Sequence, residues 1–518
     1  MSSHPVVRTP DGALRGTVEG PVSVFRGIPY AQPPTRSRRF AAPVPAGRWD
    51  GTRDAVEFGP PVSQFLPWQG PVQVSQDEGG VGTLTLNVWT PDRGAGRLPV
   101  LVWLHGGAYL VGTGADPGCD GSRLAAENGA VVVTLNYRLG AEGFARLEGA
   151  PDNRGLLDQI AALTWVQRNI AVFGGDPDQV TVFGGSAGAN ALAALLVMPA
   201  ARELFQRAVL MSPAGSYLTS ELAEVISAQL AADLGCKPVV DDFARMTSAD
   251  VARADFELQA RHGAYVQTWG RMALMPTIYS PVVDGESLPA DPFTAIGAGA
   301  AVGVDLLCGY NRDEYRFFQL MAGPPAPGED ATAPGEAELD RVLDLSGPPG
   351  AAAAYRAANP RLDAGDLYEL VMSDWIFRMP AVRLAEAQAS SGGSAYLYEL
   401  AHPIESAGRK TPHGAEAPLV FGAVGSQLDR MFYPQGFSLY EQELSAHVRQ
   451  AITDFARSGR PGWPRLDTAQ WTTRVWGEPG AAPAVDRALP VMSSHDIWAE
   501  VSFGALDLPA AGTDARRG

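Results

Sequence analysis

Cysteine is scarce: Cys119, Cys236 and Cys308 are the only three in 518 residues, widely spaced and odd in number. Such a set builds neither a disulfide framework nor a clustered zinc site. Histidine is nearly as thin, seven scattered copies with no His-Glu-x-x-His or comparable ligand spacing, so no metal is expected. Positive charge is in deficit, 40 Lys and Arg against 57 Asp and Glu, and no basic run with interleaved aromatics offsets the net −17. That balance argues against a nucleic-acid partner, because neutralising phosphates requires concentrated cations. No apolar run approaches the roughly 18 to 20 residues of a membrane helix, so no membrane partner is expected. The opening stretch MSSHPVVRTPDGALRGTVEG lacks a basic start followed by an apolar segment of about 7 to 15 residues, and the expectation is a cytoplasmic protein. Nothing repeats with a period of about 20 to 50 residues, which excludes a solenoid.

What the chain does have is apolar content, 46% hydrophobic against 19% charged, enough for a large buried core. LPVLVWL (98–104) and AVVVTLNYRL (130–139) are continuous apolar runs, the pattern of strands buried on both faces. Between Asn153 and Asn169, Leu156, Leu157, Ile160, Leu163 and Val166 recur at helical spacing, and another strand run opens at Val180. RAVLMS (207–212), VDLLCG (304–309) and AYLYEL (395–400) continue the alternation, which predicts an α/β fold with a large, mostly parallel central sheet flanked by helices. A late helix is marked at both ends. Ser438 and Glu441 make a capping box, Tyr440, Leu444, Val448, Ile452 and Phe455 share a face, and Gly459 closes it. The Pro-, Gly- and Ala-rich stretch at 322–354 reads as a mobile excursion and 508–518 as a flexible tail, on a single domain spanning 1–507.

One polar residue interrupts the apolar pattern. In TVFGGSAGANALAALL (181–196) a β-branched run passes through Gly184, Gly185, Ser186, Ala187 and Gly188 into a helical stretch. The plain reading is a tight strand-to-helix turn with serine at the helix start. The chemical reading is a Gly-x-Ser-x-Gly elbow, which lifts a serine hydroxyl above a sheet. A serine needs a base, an acid to orient that base, and donors for an oxyanion. HGGA (105–108), at the end of a predicted strand, offers the amides of Gly106 and Gly107, and Ala187 follows the serine directly. His413, in the irregular loop KTPHGAEAPLVFG, is the best-placed imidazole, whereas His4, His447 and His495 lie in the N-terminal arm, on a polar helix face and near the tail. CGYNRDEYRFF (308–318) puts Asp313 and Glu314 just beyond a strand, where ligands bind in such sheets, and spacing alone does not choose between them.

FRGIPYAQPP (25–34), LTLNVWTP (84–91), LPVLVWLHGGAYLVGTG (98–114), NYRLGAEGF (136–144), the stretch from Asn153 to Gly188, SPVVDG (280–285), NRDEYRFF and HGAEAPLVFG follow one another in the order seen in type-B carboxylesterases, which this chain resembles across nearly its whole length. The resemblance implies an α/β-hydrolase fold and a Ser-His-Glu triad on Ser186, His413 and Glu314. It further implies an oxyanion hole at Gly106, Gly107 and Ala187, and a supporting hydrogen bond from Ser212. The implied activity is hydrolysis of small carboxylic esters through an acyl-enzyme, without a cofactor. Trp68, Gly185, Trp269, Phe317 and Phe318 are candidates to line the pocket.

The chain departs from the family pattern in three places. Many relatives carry glutamate where Gly185 stands. GVGT (80–83) replaces Ser-Glu-Asp-Cys, removing a disulfide cysteine at Thr83 and a glutamate partner for Arg39, and Cys236 resembles a disulfide cysteine without a mate. The missing negative charge at Gly185 points to neutral esters of modest size. Two alternatives stay open: a catalytically silent binding or adhesion homologue, and the same acyl chemistry directed at thioesters, amides or polyesters. The natural substrate and oligomeric state are not read from the sequence.

Overall fold

The computed structural model describes residues 4–66, 70–72, 82–94, 96–322 and 334–509. Eleven strands form its central sheet: β1 (Thr17–Glu19), β2 (Val22–Pro29), β3 (Thr85–Thr90), β4 (Leu98–Leu104), β5 (Val131–Leu135), β6 (Gly175–Gly185), β7 (Arg207–Met211), β8 (Asp305–Asn311), β9 (Ala395–Leu400), β10 (Thr473–Trp476) and β11 (Ala484–Arg487). Their spatial order is β11-β10-β9-β8-β7-β6-β4-β5-β3-β2-β1. The strands from β10 across to β5 run parallel, and β11, β3, β2 and β1 pair antiparallel.

The continuous apolar runs become central strands because both faces of this sheet are covered. Along β4, Val100, Val102 and Leu104 join one core cluster while Leu101 and Trp103 join the other, as the two-residue period of a strand requires. Helix α1 (Arg154–Asn169) packs Leu156, Leu163 and Val166 into the first cluster. Helix α2 (Ala187–Leu195), which follows β6, is buried along its entire length. On the opposite face, the helix Leu439–Ser458 packs Leu444, Val448, Ile452 and Phe455 into the second cluster. It has the expected Ser438 capping box and left-handed Gly459 cap. Tyr440 leaves that face: it sits in the first turn and is exposed.

The described part of the stretch expected to be a mobile excursion, residues 334–354, holds the packed helix Glu336–Ser346 and the start of a second, Ala351–Ala358. Leu339, Val342, Leu343 and Tyr355 are buried there, and their burial outweighs the loop-like composition around them. Among the described residues no helix is long and apolar enough to cross a membrane, and no cluster of His, Cys, Asp and Glu could hold a metal ion.

Parallel strands bring their carboxyl ends to one edge. Gly184 pairs with Leu104, Gly185 with Met211, and Met211 with Gly309. The loops leaving β4, β6, β7 and β8 therefore emerge side by side, and these loops carry Gly106, Ser186, Ser212 and Glu314.

Candidate active site

Ser186 stands alone between β6 and α2 at φ 56°, ψ −123°, a conformation an L-residue adopts only under constraint. The constraint comes from close backbone packing. A Cβ on Gly184 would lie 2.6 Å from the Gly188 carbonyl carbon, and one on Gly188 would lie 2.1 Å from the Leu104 carbonyl oxygen. Neither position admits a side chain: Gly184 lets the start of α2 fold back onto β6, and Gly188 lets it press onto the end of β4. Gly185 differs: its φ is not left-handed, and a Cβ there would meet only the Trp103 ring edge, at 3.2 Å. The Ser186 amide is held by the Met211 carbonyl at 2.9 Å and its carbonyl by Asn190 N–H, leaving the half-buried side chain at the sheet edge.

Beside it, the loop after β4 is arranged so that carbonyls are held and amides are free. The His105 carbonyl accepts from Tyr137 Oη–H at 2.7 Å, and the Gly106 carbonyl accepts from His105 Nδ1–H at 2.8 Å. In a trans peptide the N–H points opposite to the C=O, so each held carbonyl aims the next amide, Gly106 and then Gly107, the other way. Among the described residues neither amide meets an acceptor. Ala187 opens α2, so its amide has no carbonyl within that helix to bond. The Gly107, Ala108 and Tyr109 carbonyls are engaged by Leu110 and Val111, by Thr277 Oγ1 and by Gly140. Gly107, Ala108 and Tyr109 all have positive φ, so the loop is strained and its shape depends on these contacts. His105 itself stacks on Tyr137, with ring centroids 4.4 Å apart, and burial lowers its pKa to about 4, which keeps it a neutral Nδ1–H donor.

Glu314 and His413 meet at the next loops of the same edge. His413 Nδ1 lies 2.6 Å from Glu314 Oε2, with the histidine 5% and the glutamate 0% exposed. The other carboxylate oxygen, Oε1, accepts from the Asn311 amide at 2.7 Å. Asp313 turns away and accepts from the Thr411 amide at 2.9 Å, so only the second carboxylate of the Asp-Glu pair faces the imidazole. Backbone bonds from Asp313 to Thr411 and from His413 to Glu314 join the two loops. The second ring nitrogen, Nε2, is buried and has no partner among the described residues.

Ser212 does not reach His413 directly. Its hydroxyl donates to Glu416 Oε1 at 2.9 Å, while Asn311 Nδ2 donates to Glu416 Oε2. Glu416 was visible in HGAEAPLVFG but not singled out. It is fully buried, and burial followed by repulsion from Glu314 holds its carboxyl above the usual range. Phe317 and Phe318 lie near the imidazole, at 6.0 and 5.7 Å between centroids, and the closer ring, at 4.2 Å, belongs to Phe377, which the sequence reading missed. Phe377 sits in a π-helical turn, Asp374–Arg378, between the α-helices Ala364–Ser373 and Met379–Ser390. Such turns are common at functional sites, but no periodicity in this sequence announces one. Trp269 is buried and stacked on Tyr265 at 4.3 Å, a core position. Trp68 lies outside the described residues. Arg39 has a carboxylate partner despite the changed loop, Glu142 at 2.8 Å, and it also donates to the Met246 carbonyl. All three cysteines are free thiols.

The carboxylesterase family model matches residues 3–479. The chain is 38% identical over 480 residues to the para-nitrobenzyl esterase of Bacillus subtilis, covering 89% of this chain and 92% of that protein. It is 31% identical over 508 residues to phenmedipham hydrolase of Pseudarthrobacter oxydans, covering 95% and 98%. Among solved structures, carboxylesterase EST55 of Geobacillus stearothermophilus superposes with a TM-score of 0.81 at 33% identity, over 95% of this chain and 99% of that one. A family match of this extent, on a sheet edge that presents a serine elbow, makes the conclusion direct: this chain belongs to the carboxylesterase family and is a serine hydrolase of carboxylic esters.

Proposed function

We propose that Ser186, His413 and Glu314 serve as nucleophile, base and orienting acid, with the amides of Gly106, Gly107 and Ala187 binding the oxyanion. The observation that carries this reading is the 2.6 Å contact between His413 Nδ1 and Glu314, with Nε2 left without a partner among the described residues on the edge where Ser186 stands. Glu314 and His413 stand on the loops after β8 and β9, which backbone bonds join on the edge where Ser186 leaves β6. His413 Nε2 takes the proton as Ser186 Oγ attacks the ester carbonyl, while Glu314 keeps the other proton on Nδ1. The carbonyl oxygen gains its charge among amides already aimed by held carbonyls, so no reorganisation is needed at that moment. His413 then protonates the departing alkoxide, and a water repeats the sequence on the acyl-enzyme to release the acid and free serine.

The proposed substrates are neutral esters of modest size. Gly185 contributes no charge beside the nucleophile, and the rings around His413 are apolar. The test compares kcat/KM for a choline ester with that for an uncharged ester of matched length. A higher value for the uncharged ester is expected, and a clear advantage for the choline ester would overturn the reading. In parallel, Ser186→Ala is expected to abolish turnover of p-nitrophenyl butyrate while keeping the folded circular-dichroism spectrum.

A further inference from the structure

Asp255 is a buried carboxylate outside the triad, with no cation to pair with among the described residues. Burial pushes its carboxyl up to about 7, against the pull of the two hydrogen bonds it accepts. Those two bonds lead to one place. Oδ2 accepts from the Ala141 amide at 2.9 Å, and Oδ1 accepts from the Tyr279 hydroxyl at 2.6 Å. Ala141 follows Gly140, whose N–H holds the Tyr109 carbonyl at 2.7 Å. This arm is tight: a Cβ on Gly140, at φ 54°, would lie 2.2 Å from Asp255 Oδ2, so no side chain fits between the carboxylate and the turn. On the other arm, Tyr279 N–H donates to Thr277 Oγ1 at 3.1 Å, and that hydroxyl donates to the Ala108 carbonyl at 2.6 Å. Gln259, one turn further along the helix that carries Asp255, Ser248–Arg261, accepts from the Ile278 amide at 2.8 Å and holds the 277–279 segment in place. One carboxylate thus stands behind the contacts that hold the Ala108 and Tyr109 carbonyls, in a loop whose positive φ angles are maintained by those contacts.

We propose that Asp255 is a positioning residue for the oxyanion hole, acting through Gly140–Ala141 on one side and Tyr279–Thr277 on the other. The inference rests on the reading of Gly106 and Gly107 as oxyanion donors. Asp255 touches no reacting atom. Its effect passes through the Ala108 and Tyr109 carbonyls, whose peptide planes fix the path of the chain that leaves Gly107. Without the brace the Gly107 amide swings off its aim, which weakens the bound oxyanion and leaves binding of the neutral ester unchanged.

The test is inhibition by trifluoroacetophenone at pH 8, with competent sites counted by a fluorophosphonate. Ser186 Oγ adds to the ketone carbon, the hydroxyl proton passes to His413, and the carbonyl π pair becomes an oxyanion, so Ki reads the hole and does not depend on the fraction of folded protein. In Asp255→Ala, Ki should rise and kcat for p-nitrophenyl butyrate per counted site should fall about tenfold or more, with KM within about twofold of wild type. Tyr279→Phe cuts one arm and should show about a fivefold effect of the same kind. Asp255→Asn can accept from the Ala141 amide and donate to Tyr279 Oη, and should return Ki to within about twofold of wild type. His105→Ala, which frees the Gly106 carbonyl, is the control for the hole itself. A Ki raised in His105→Ala but unchanged in Asp255→Ala and Tyr279→Phe would overturn this inference alone. A Ki unchanged in all three would overturn the oxyanion reading beneath it, and the inference with it. Should Asp255→Ala fail to fold, Tyr279→Phe decides.

Discussion

Exchanging Glu314 for glutamine keeps the size of the side chain and removes one charge, and the structure dictates how the amide must sit. Oε1 accepts the Asn311 N–H at 2.7 Å, and Oε2 faces His413 Nδ1 at 2.6 Å. The glutamine oxygen must take the Asn311 side, because an NH₂ there would face another buried donor at a cost of about 1–3 kcal/mol. The NH₂ then points at Nδ1, which must become an acceptor, and the ring proton moves to Nε2. A base protonated at Nε2 cannot take the proton of Ser186. Loss of one charged hydrogen bond alone would cost about 1.5–3 kcal/mol, or roughly 10- to 150-fold. The tautomer change is the larger effect, and the expected fall in kcat is about 10⁴, near 5 kcal/mol of barrier. Asp313→Asn can keep its oxygen on the Thr411 amide, so its kcat should stay within about threefold. Steady-state hydrolysis of p-nitrophenyl butyrate by the two variants at pH 7.5 measures both. A Glu314→Gln enzyme within tenfold of wild type, or the reverse ranking, would refute the assignment of the acid.

The elbow glycines should respond unequally. Gly188→Ala, with its Cβ forced to 2.1 Å from the Leu104 carbonyl, is expected to lower the unfolding free energy by about 1–3 kcal/mol and to destroy activity, whereas Gly185→Ala, meeting only the Trp103 ring edge, should remain folded and active in chemical denaturation and hydrolysis assays. His105→Ala releases the carbonyl that aims the Gly107 amide, and kcat should fall about 10²- to 10³-fold with little change in KM. The same histidine makes the fold acid-sensitive. Unfolded His105 binds a proton below its ordinary value of about 6.5 while the folded form resists until about 4, so stability is full above 6.5 and lost as the pH falls. Urea unfolding at pH 6.5 and 4.5 should show wild type losing roughly 2–3 kcal/mol more than His105→Asn over that interval.

Legibility in the sequence followed the strength of local physics. Strands buried on both faces have no alternative to continuous apolar runs, so Leu98–Leu104 and Ala395–Leu400 could be read directly, as could the helix capped by Ser438 and Gly459. The elbow was legible because two close backbone approaches admit only glycine. The apolar run at 130–139 outlasts its strand, which ends at Leu135 because the side chain of Asn136 turns into the loops through Gly114, Pro60 and Thr83. The helices at 336–358 were hidden by surrounding Pro, Gly and Ala, although Leu339, Val342 and Leu343 carry a helical spacing in GEAELDRVLDL that marked them. Glu416 and Phe377 were not legible as parts of the site. Each acts through a contact made across the fold, with Ser212 and with His413, and such contacts leave no periodic trace in the chain.

The most direct test of the account is where a covalent probe attaches. Intact mass and peptide mapping after treatment with a fluorophosphonate should show one adduct per chain, on Ser186, formed in step with the loss of ester hydrolysis and absent from Ser186→Ala. An adduct on another serine with Ser186 unmodified, or a Ser186→Ala protein that keeps hydrolysing esters, would contradict it.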